Sequence, residues 1–216
     1  MNAFSPKAVA ARLGPQLMGA SDSACSTDIA VGVGLKDKRV QLEGFERNLR
    51  PAGVLVPLVA HEDGVTVLLT QRADHLPDHP GEVSFPGGAV EPCDQDAVAA
   101  ALREAEEEVG MPQSHVTILG ALEQRATISD YRVTPVVGLV TQFTPRLQAD
   151  EVADVFEVPL SFIFDKSNHE LRDRSPTNQK RREFYAIPYG ERFIWGFTAR
   201  ILVRLSELWI IGKKDG

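Results

Sequence analysis

The chain has 216 residues, of which 43% are apolar and 25% are charged, and its formal net charge is −7. This length suits one domain with a well-buried core, and the net negative charge argues against a general nucleic-acid binder, because affinity for duplexes depends on a basic surface. No stretch approaches the roughly 18 apolar residues of a membrane span, and the start of the chain lacks the pattern of a secretion signal, so the sequence predicts a cytoplasmic protein.

The first 50 residues predict an N-terminal helical arm and connector. Residues 4–18 predict a short amphipathic helix that is interrupted near Gly14 and Pro15, and residues 19–50 predict a mixed connector. The sequence assigns this arm no role. The domain that carries the chemistry is predicted to span residues 51–212.

That domain begins with a predicted β-hairpin. The β-rich runs 52–60 and 65–72 flank the turn sequence HEDG. The following segment, 73–95, is rich in Pro, Gly, Asp and His and predicts a loop. The Ala-rich segment 96–109 then predicts an amphipathic helix that ends at Gly110, a residue suited to the left-handed conformation found at helix ends.

The remaining elements complete a mixed fold. The sequence predicts strands at 116–123 and 132–141, a short helix at 150–156, a charged hairpin-like segment at 161–192 and a closing amphipathic helix at 195–211. Strands mixed with helices in this way predict an α/β fold in which a mixed β-sheet lies between α-helices.

Four glutamates crowd the end of the helix 96–109. At 100° per residue, Glu104, Glu107 and Glu108 fall within an arc of roughly 100°, whereas Glu106 points elsewhere. Like charges three and four residues apart destabilise a helix, which favours a compensating cation. Because oxygen-only ligands suit Mg²⁺ or Mn²⁺, these three carboxylates predict a divalent-metal site.

The stretch REAEEEVGM resembles the end of the Nudix box, R-E-U-x-E-E-x-G-U, in which U is an apolar residue. The chain is therefore similar to Nudix hydrolases, and the resemblance implies the Nudix fold and metal binding by Glu104, Glu107 and Glu108. One departure concerns spacing. Gly88 lies fifteen residues before Arg103, one more than the pattern requires, so the first glutamate of the box falls on Gln95.

A second motif narrows the substrate that the resemblance implies. Residues 68–88, LLTQRADHLPDHPGEVSFPGG, resemble the signature of the coenzyme A pyrophosphatase branch of the Nudix enzymes, except that Pro77 stands in place of an arginine. The implied reaction is hydrolysis of the pyrophosphate bond of coenzyme A (CoA) or acyl-CoA to 3′,5′-ADP and 4′-phosphopantetheine or its acylated form.

Other residues near these motifs are candidates for specific roles. Arg103 lies four residues before Glu107 and can hold a carboxylate, while Gly87 and Gly88 allow the backbone to approach a metal ion or a phosphate closely. Arg72 is a candidate for binding a substrate phosphate. Glu151 is the preferred candidate for the general base, with Asp150 as the alternative next to it.

Two other functions stay open at this point. The chain could hydrolyse another nucleoside diphosphate derivative, such as ADP-ribose, or it could be a catalytically silent Nudix-like domain that binds a nucleotide. The three crowded carboxylates argue against a silent domain, because nucleotide binding alone does not require them. In each case the partner is a small nucleotide and neither a nucleic acid nor a membrane, and the sequence is compatible with a homodimer.

Overall fold

The computed structural model describes residues 2–19, 25–26, 49–127, 129–173 and 183–212. The α-helices of these residues are α1 (Pro6–Leu13), α2 (Ala97–Val109), α3 (Leu160–Phe164) and α4 (Gly196–Ile211). The strands are β1 (Cys25–Ser26), β2 (Arg50–Ala60), β3 (Val65–Arg72), β4 (Val83–Ser84), β5 (Gly87–Ala89), β6 (Val116–Ala121), β7 (Gln124–Ala126), β8 (Tyr131–Val140), β9 (Val152–Pro159), β10 (Glu170–Asp173), β11 (Glu183–Tyr189) and β12 (Arg192–Trp195).

The main sheet is mixed and is centred on β2. This strand pairs in parallel with β8, from Arg50 opposite Tyr131 to Val59 opposite Val140, and in antiparallel fashion with β3 and β5. The strand order of its longest path is β1-β7-β8-β2-β3-β4, with β6 added to β8 and β9 added to β3. A smaller antiparallel sheet has the order β10-β11-β12.

Apolar side chains of β2 point to both faces of the sheet, so each face needs a cover. Leu55 and Val59 pack with α2 on one face. Val56 and Leu58 pack on the opposite face with residues of α1, α3, α4 and the small sheet. This layering confirms the predicted α/β fold, in which a mixed sheet lies between helices.

Several local predictions are confirmed. Strands β2 and β3 form the predicted hairpin around the HEDG turn. Helix α2 begins after Asp96, whose side chain accepts hydrogen bonds from the backbone N–H groups of Val98 and Ala99, and it ends at Gly110 in the left-handed conformation, with φ of 66°. The closing helix is α4. The arm contains α1 followed by one 3₁₀ turn, Gly14–Gln16, where the helix was predicted to be interrupted.

Two predictions were wrong. The short helix expected at 150–156 is the strand β9, because its β-branched and aromatic side chains pack on the sheet and its backbone pairs with the edge of β3. The segment 73–95, expected to be loop, contains β4, which pairs with β3, and β5, whose pairing with β2 overrides the low strand propensity of its two glycines. Most of the connector, and residues 174–182 of the charged segment, lie outside the described residues.

None of the helices in the described ranges has the length and apolar character needed to cross a membrane.

Candidate active site

The last two turns of α2 separate the four glutamates by environment. Glu108 is buried, with 5% of its surface exposed, and Glu104 is half-buried. Glu106 is exposed and accepts a hydrogen bond from Gln113 at 3.0 Å, which agrees with its predicted position off the metal-binding face. The side chain of Glu107 is 54% exposed. The helix therefore directs only Glu104 and Glu108 toward the protein interior.

Burial changes the acidity of the two inward carboxyl groups. The pKa of Glu108 is raised to about 8, mainly by burial and further by the negative charges of Glu104 and Glu151, while Arg72 and the backbone N–H of Gly87 oppose this rise. Burial also raises the pKa of Glu104, against the opposing charge of Arg103. The structure therefore contains a compact group of carboxylates whose charge the protein balances only in part.

The two predicted glycines lie where the packing of β5 leaves no space for a side chain. A Cβ atom on Gly88 would lie 2.2 Å from Oε1 of Glu104. A Cβ atom on Gly87, whose φ is 156°, would lie 2.4 Å from the carbonyl oxygen of Gly53. Since β5 pairs with β2 at this point, the two glycines let the β5 backbone fit between β2 and the glutamates of α2.

Arg103 uses every N–H group of its guanidinium to hold this arrangement. Its Nη1 donates to Glu104 at 3.0 Å and to Glu107 at 2.9 Å. Its Nε and Nη2 donate to the two carboxylate oxygens of Asp94 at 3.0 and 2.9 Å, and Nη2 also donates to the carbonyl of Ala89 at 3.2 Å. Arg103 thus joins the site helix to the loop that precedes it.

Asp94 is the site residue that the sequence prediction missed. Its side chain is only 4% exposed, and its hydrogen bond with Arg103 holds its pKa below the ordinary value. Counting backward from Arg103 had placed the first acidic residue of the box on Gln95. Counting forward from Gly88 leads to Asp94, so the additional residue of this chain lies between Asp94 and Arg103.

The two candidates from outside the helix, Arg72 and Glu151, also lie at the site. Glu151 immediately precedes β9, and its backbone carbonyl accepts a hydrogen bond from the N–H of Ala73 at 2.9 Å, next to Arg72. The negative charge of Glu151 raises the pKa of both Glu104 and Glu108. The buried Nε of Arg72 has no hydrogen-bond partner among the described residues. The positive charge of Arg72 lowers the pKa of Glu108.

The predicted metal ligands are brought together only in part. Glu104 and Glu108 lie together with Glu151, whereas Glu107 is bound to Arg103 at the surface. As their side chains stand, the described residues contain no group of three His, Cys, Asp or Glu that could hold one ion. The chemistry of the site nevertheless fits a divalent cation, because its donors are carboxylate oxygens and a cation would compensate the buried charge of Glu108.

Comparison with known proteins identifies the family. Residues 49–179, more than half of the chain, match the NUDIX domain. The chain belongs to the Nudix family. It is 43% identical over 164 residues to proteins called "Uncharacterized Nudix hydrolase NudL" from Yersinia pestis (strain Pestoides F) and from Yersinia pseudotuberculosis serotype O:1b (strain IP 31758). Each match covers 76% of this chain and 81% of the relative.

Among solved structures, the chain is similar to a NUDIX hydrolase from Alicyclobacillus acidocaldarius, with 18% identity and a TM-score of 0.45, over 76% of this chain and 93% of that chain. An Ap4A hydrolase from C. elegans matches with 23% identity and a TM-score of 0.44, over 51% of this chain and 80% of that chain.

Family membership confirms the predicted Nudix fold and identifies the chain as a Nudix hydrolase. Nudix hydrolases act on small nucleotide substrates and generally use divalent metal cations.

The buried Glu108 predicts an unusual pH dependence of stability for this Nudix protein without metal. Folding favours the protonated carboxyl, so its contribution to stability is complete below about pH 4.5 and is lost as the pH rises through about 8. In a chelator, Glu108→Gln should therefore melt about 4–10 °C above the parent at alkaline pH. Thermal melts of both proteins across this pH range measure the difference, which should vanish at the acidic end. A difference in melting temperature that stays constant with pH would contradict the raised pKa of Glu108.

Proposed function

We propose that the chain hydrolyses the pyrophosphate bond of CoA or acyl-CoA, using Mg²⁺ or Mn²⁺. The products would be 3′,5′-ADP and 4′-phosphopantetheine or its acylated form. The observation that carries the proposal is the burial of Glu108 within reach of the charges of Glu104, Glu151 and Arg72, together with the buried Nε of Arg72, which has no hydrogen-bond partner among the described residues. A carboxylate group next to an available guanidinium N–H suits a cation bound together with a phosphate-containing substrate.

In this proposal, Glu104 and Glu108 would hold the metal ion, and Glu107, which Arg103 holds at the helix surface together with Glu104, would complete the set. When bound, the ion supplies positive charge that neutralises the pyrophosphate and the departing phosphate. Arg103 orients Glu104 and Glu107, with which it already forms hydrogen bonds.

Glu151 is proposed as the general base. Water adds to one phosphorus atom, the bond from that phosphorus to the bridging oxygen breaks, and Glu151 takes a proton from the water. The support for Glu151 is its place beside Glu104 and Glu108, and the support is weaker for Asp150, which is exposed. Gly87 and Gly88 would let the β5 backbone lie close to the glutamates and to a bound phosphate.

The choice of CoA rests on the signature at residues 68–88, which begins on β3 and ends at Gly88 on β5. Arg72 belongs to this signature, and a buried guanidinium N–H without a partner is costly unless a ligand accepts its hydrogen bond. A phosphate oxygen of the substrate would satisfy it. We expect Arg72 to contribute more to substrate binding because Pro77 removes the arginine that the signature has there.

The decisive experiment is incubation with Mg²⁺ and a panel of CoA, acetyl-CoA, ADP-ribose, NADH and nucleoside triphosphates, with products separated by chromatography. Release of 3′,5′-ADP from CoA at the highest kcat/KM is the expected result. If ADP-ribose is hydrolysed at least as efficiently as CoA, the proposed substrate is wrong, while the proposed pyrophosphatase activity stands. Binding of these nucleotides without any hydrolysis would contradict the proposal that the chain is an enzyme.

Arg72→Ala is expected to raise the KM for CoA by about tenfold or more and to change kcat much less, because a contact to a bound phosphate is made in the ground state as well as in the transition state. Steady-state kinetics give both constants. Arg172→Ala, an exposed arginine of β10 that pairs with Glu170, is the matched control and should keep the parent KM. Equal constants in the two variants would remove Arg72 from substrate binding.

A further inference from the structure

Residues 141–151 lead from β8 to Glu151 and touch the last turn of α2 on the way, and Gln148 makes the central contacts of this segment. The backbone N–H of Gln148 donates to the carbonyl of Glu108 at 3.0 Å. Its carbonyl accepts from the N–H groups of Glu151 and Val152, both at 2.9 Å. Its side-chain Nε2 donates to Oε1 of Glu151 at 3.4 Å. One residue therefore contacts the site helix, the backbone of Glu151 and the carboxylate of Glu151.

These contacts determine where Glu151 lies relative to the glutamates of α2. Glu151 precedes a strand of the sheet, while Glu104 and Glu108 belong to a helix on its face, so their separation depends on how residues 141–151 pack against α2. The backbone contacts of Gln148 fix that segment to the last turn of α2. Its amide then reaches the carboxylate of Glu151 and restricts the rotation of that side chain.

We propose that Gln148 is a positioning residue that orients the carboxylate of Glu151 toward Glu104 and Glu108. This inference rests on the proposed role of Glu151 as the general base. Gln148 is exposed, so removing its amide leaves no buried polar group without a partner. Its backbone contacts do not depend on the side chain, and the fold should persist in side-chain variants.

The test uses Gln148→Met, which keeps the length of the side chain and removes the donor. The same segment offers a matched control, Gln142→Met, because the Nε2 of Gln142 lies 2.7 Å from Nδ1 of His61, a residue that has no part in the proposed site. Gln148→Met should lower kcat for CoA by about three- to tenfold with KM within about twofold of the parent, as expected for the loss of one exposed hydrogen bond. Gln142→Met should match the parent.

Glu151→Gln provides the background that separates positioning from a general structural effect. Glu151→Gln alone should lower kcat by at least about tenfold. If Gln148 acts through the carboxylate, adding Gln148→Met to Glu151→Gln should cause no further loss. Thermal melts of all four variants show whether the fold is equally stable.

The outcomes distinguish the inference from the function on which it rests. The same loss from Gln148→Met in both backgrounds, or equal kinetics of Gln148→Met and Gln142→Met, would overturn the positioning role while Glu151 keeps its own. A Glu151→Gln enzyme with parent kcat would instead remove the proposed base, and the inference with it.

Discussion

Glu108→Gln is expected to lower CoA hydrolysis by at least about 100-fold, the scale observed when a group that stabilises charge in the transition state is lost. Glutamine keeps the size and helix propensity of the side chain but removes the charge that the site would offer to a cation. The loss should occur without loss of structure, because the buried carboxylate is itself unfavourable in the metal-free fold. Initial rates at saturating Mg²⁺, compared with thermal melts, measure the two effects separately.

Glu106→Gln is the control for this prediction. It makes the same chemical change two residues away on the same helix, at an exposed carboxylate that contacts Gln113. It should keep nearly parent activity. An equal loss in both variants would mean that the helical face does not decide which glutamates act.

Gly88→Ala is expected to have an effect of similar size, about 100-fold, by a steric route. The three nearest atoms to the added methyl group all belong to the carboxylate of Glu104, at 2.2, 2.6 and 3.1 Å. The backbone of Gly88 is not in the left-handed region, so alanine can adopt its conformation, and the flexible end of Glu104 must move instead. Activity should fall while the melting temperature changes by only a few degrees.

Gly14→Ala makes the same substitution where no atom lies within 4 Å of the added methyl group, and it should match the parent in rate and stability. A Gly88→Ala enzyme with parent kcat would show that hydrolysis does not depend on where the carboxylate of Glu104 lies. Crystals of this variant would show directly whether that carboxylate has moved.

The sequence predicts the parts of this fold that depend on local signals. Helix α2 has a capping aspartate before it and a glycine after it, and the hairpin has its Asp-Gly turn. The boundaries of these elements can therefore be predicted from the sequence. The glutamate face follows from helical periodicity alone. These features need no knowledge of the partners on which the helix packs.

The failures occur where long-range pairing decides. Nothing local distinguishes an acidic helix start at 150–156 from a strand that joins the edge of β3, and the short strands β4 and β5 exist because longer neighbours pair with them. The role of Asp94 was missed for a related reason. Spacing along the chain cannot show on which side of the aspartate the additional residue lies, whereas the contact with Arg103 does.

The repulsion within the site is carried by segments that are far apart in the chain. Glu104 and Glu108 are neighbours in any helical conformation, but Glu151 joins them only when β9 pairs with β3. The unfolded ensemble therefore does not share this repulsion, and the native state alone carries it. Opening of the β9 edge would relieve the repulsion without unfolding the core, so in the absence of cations this edge is less stable than its pairing with β3 alone would make it. A bound cation would remove that repulsion and so couple the protection of the β9 edge from hydrogen exchange to occupancy of the site.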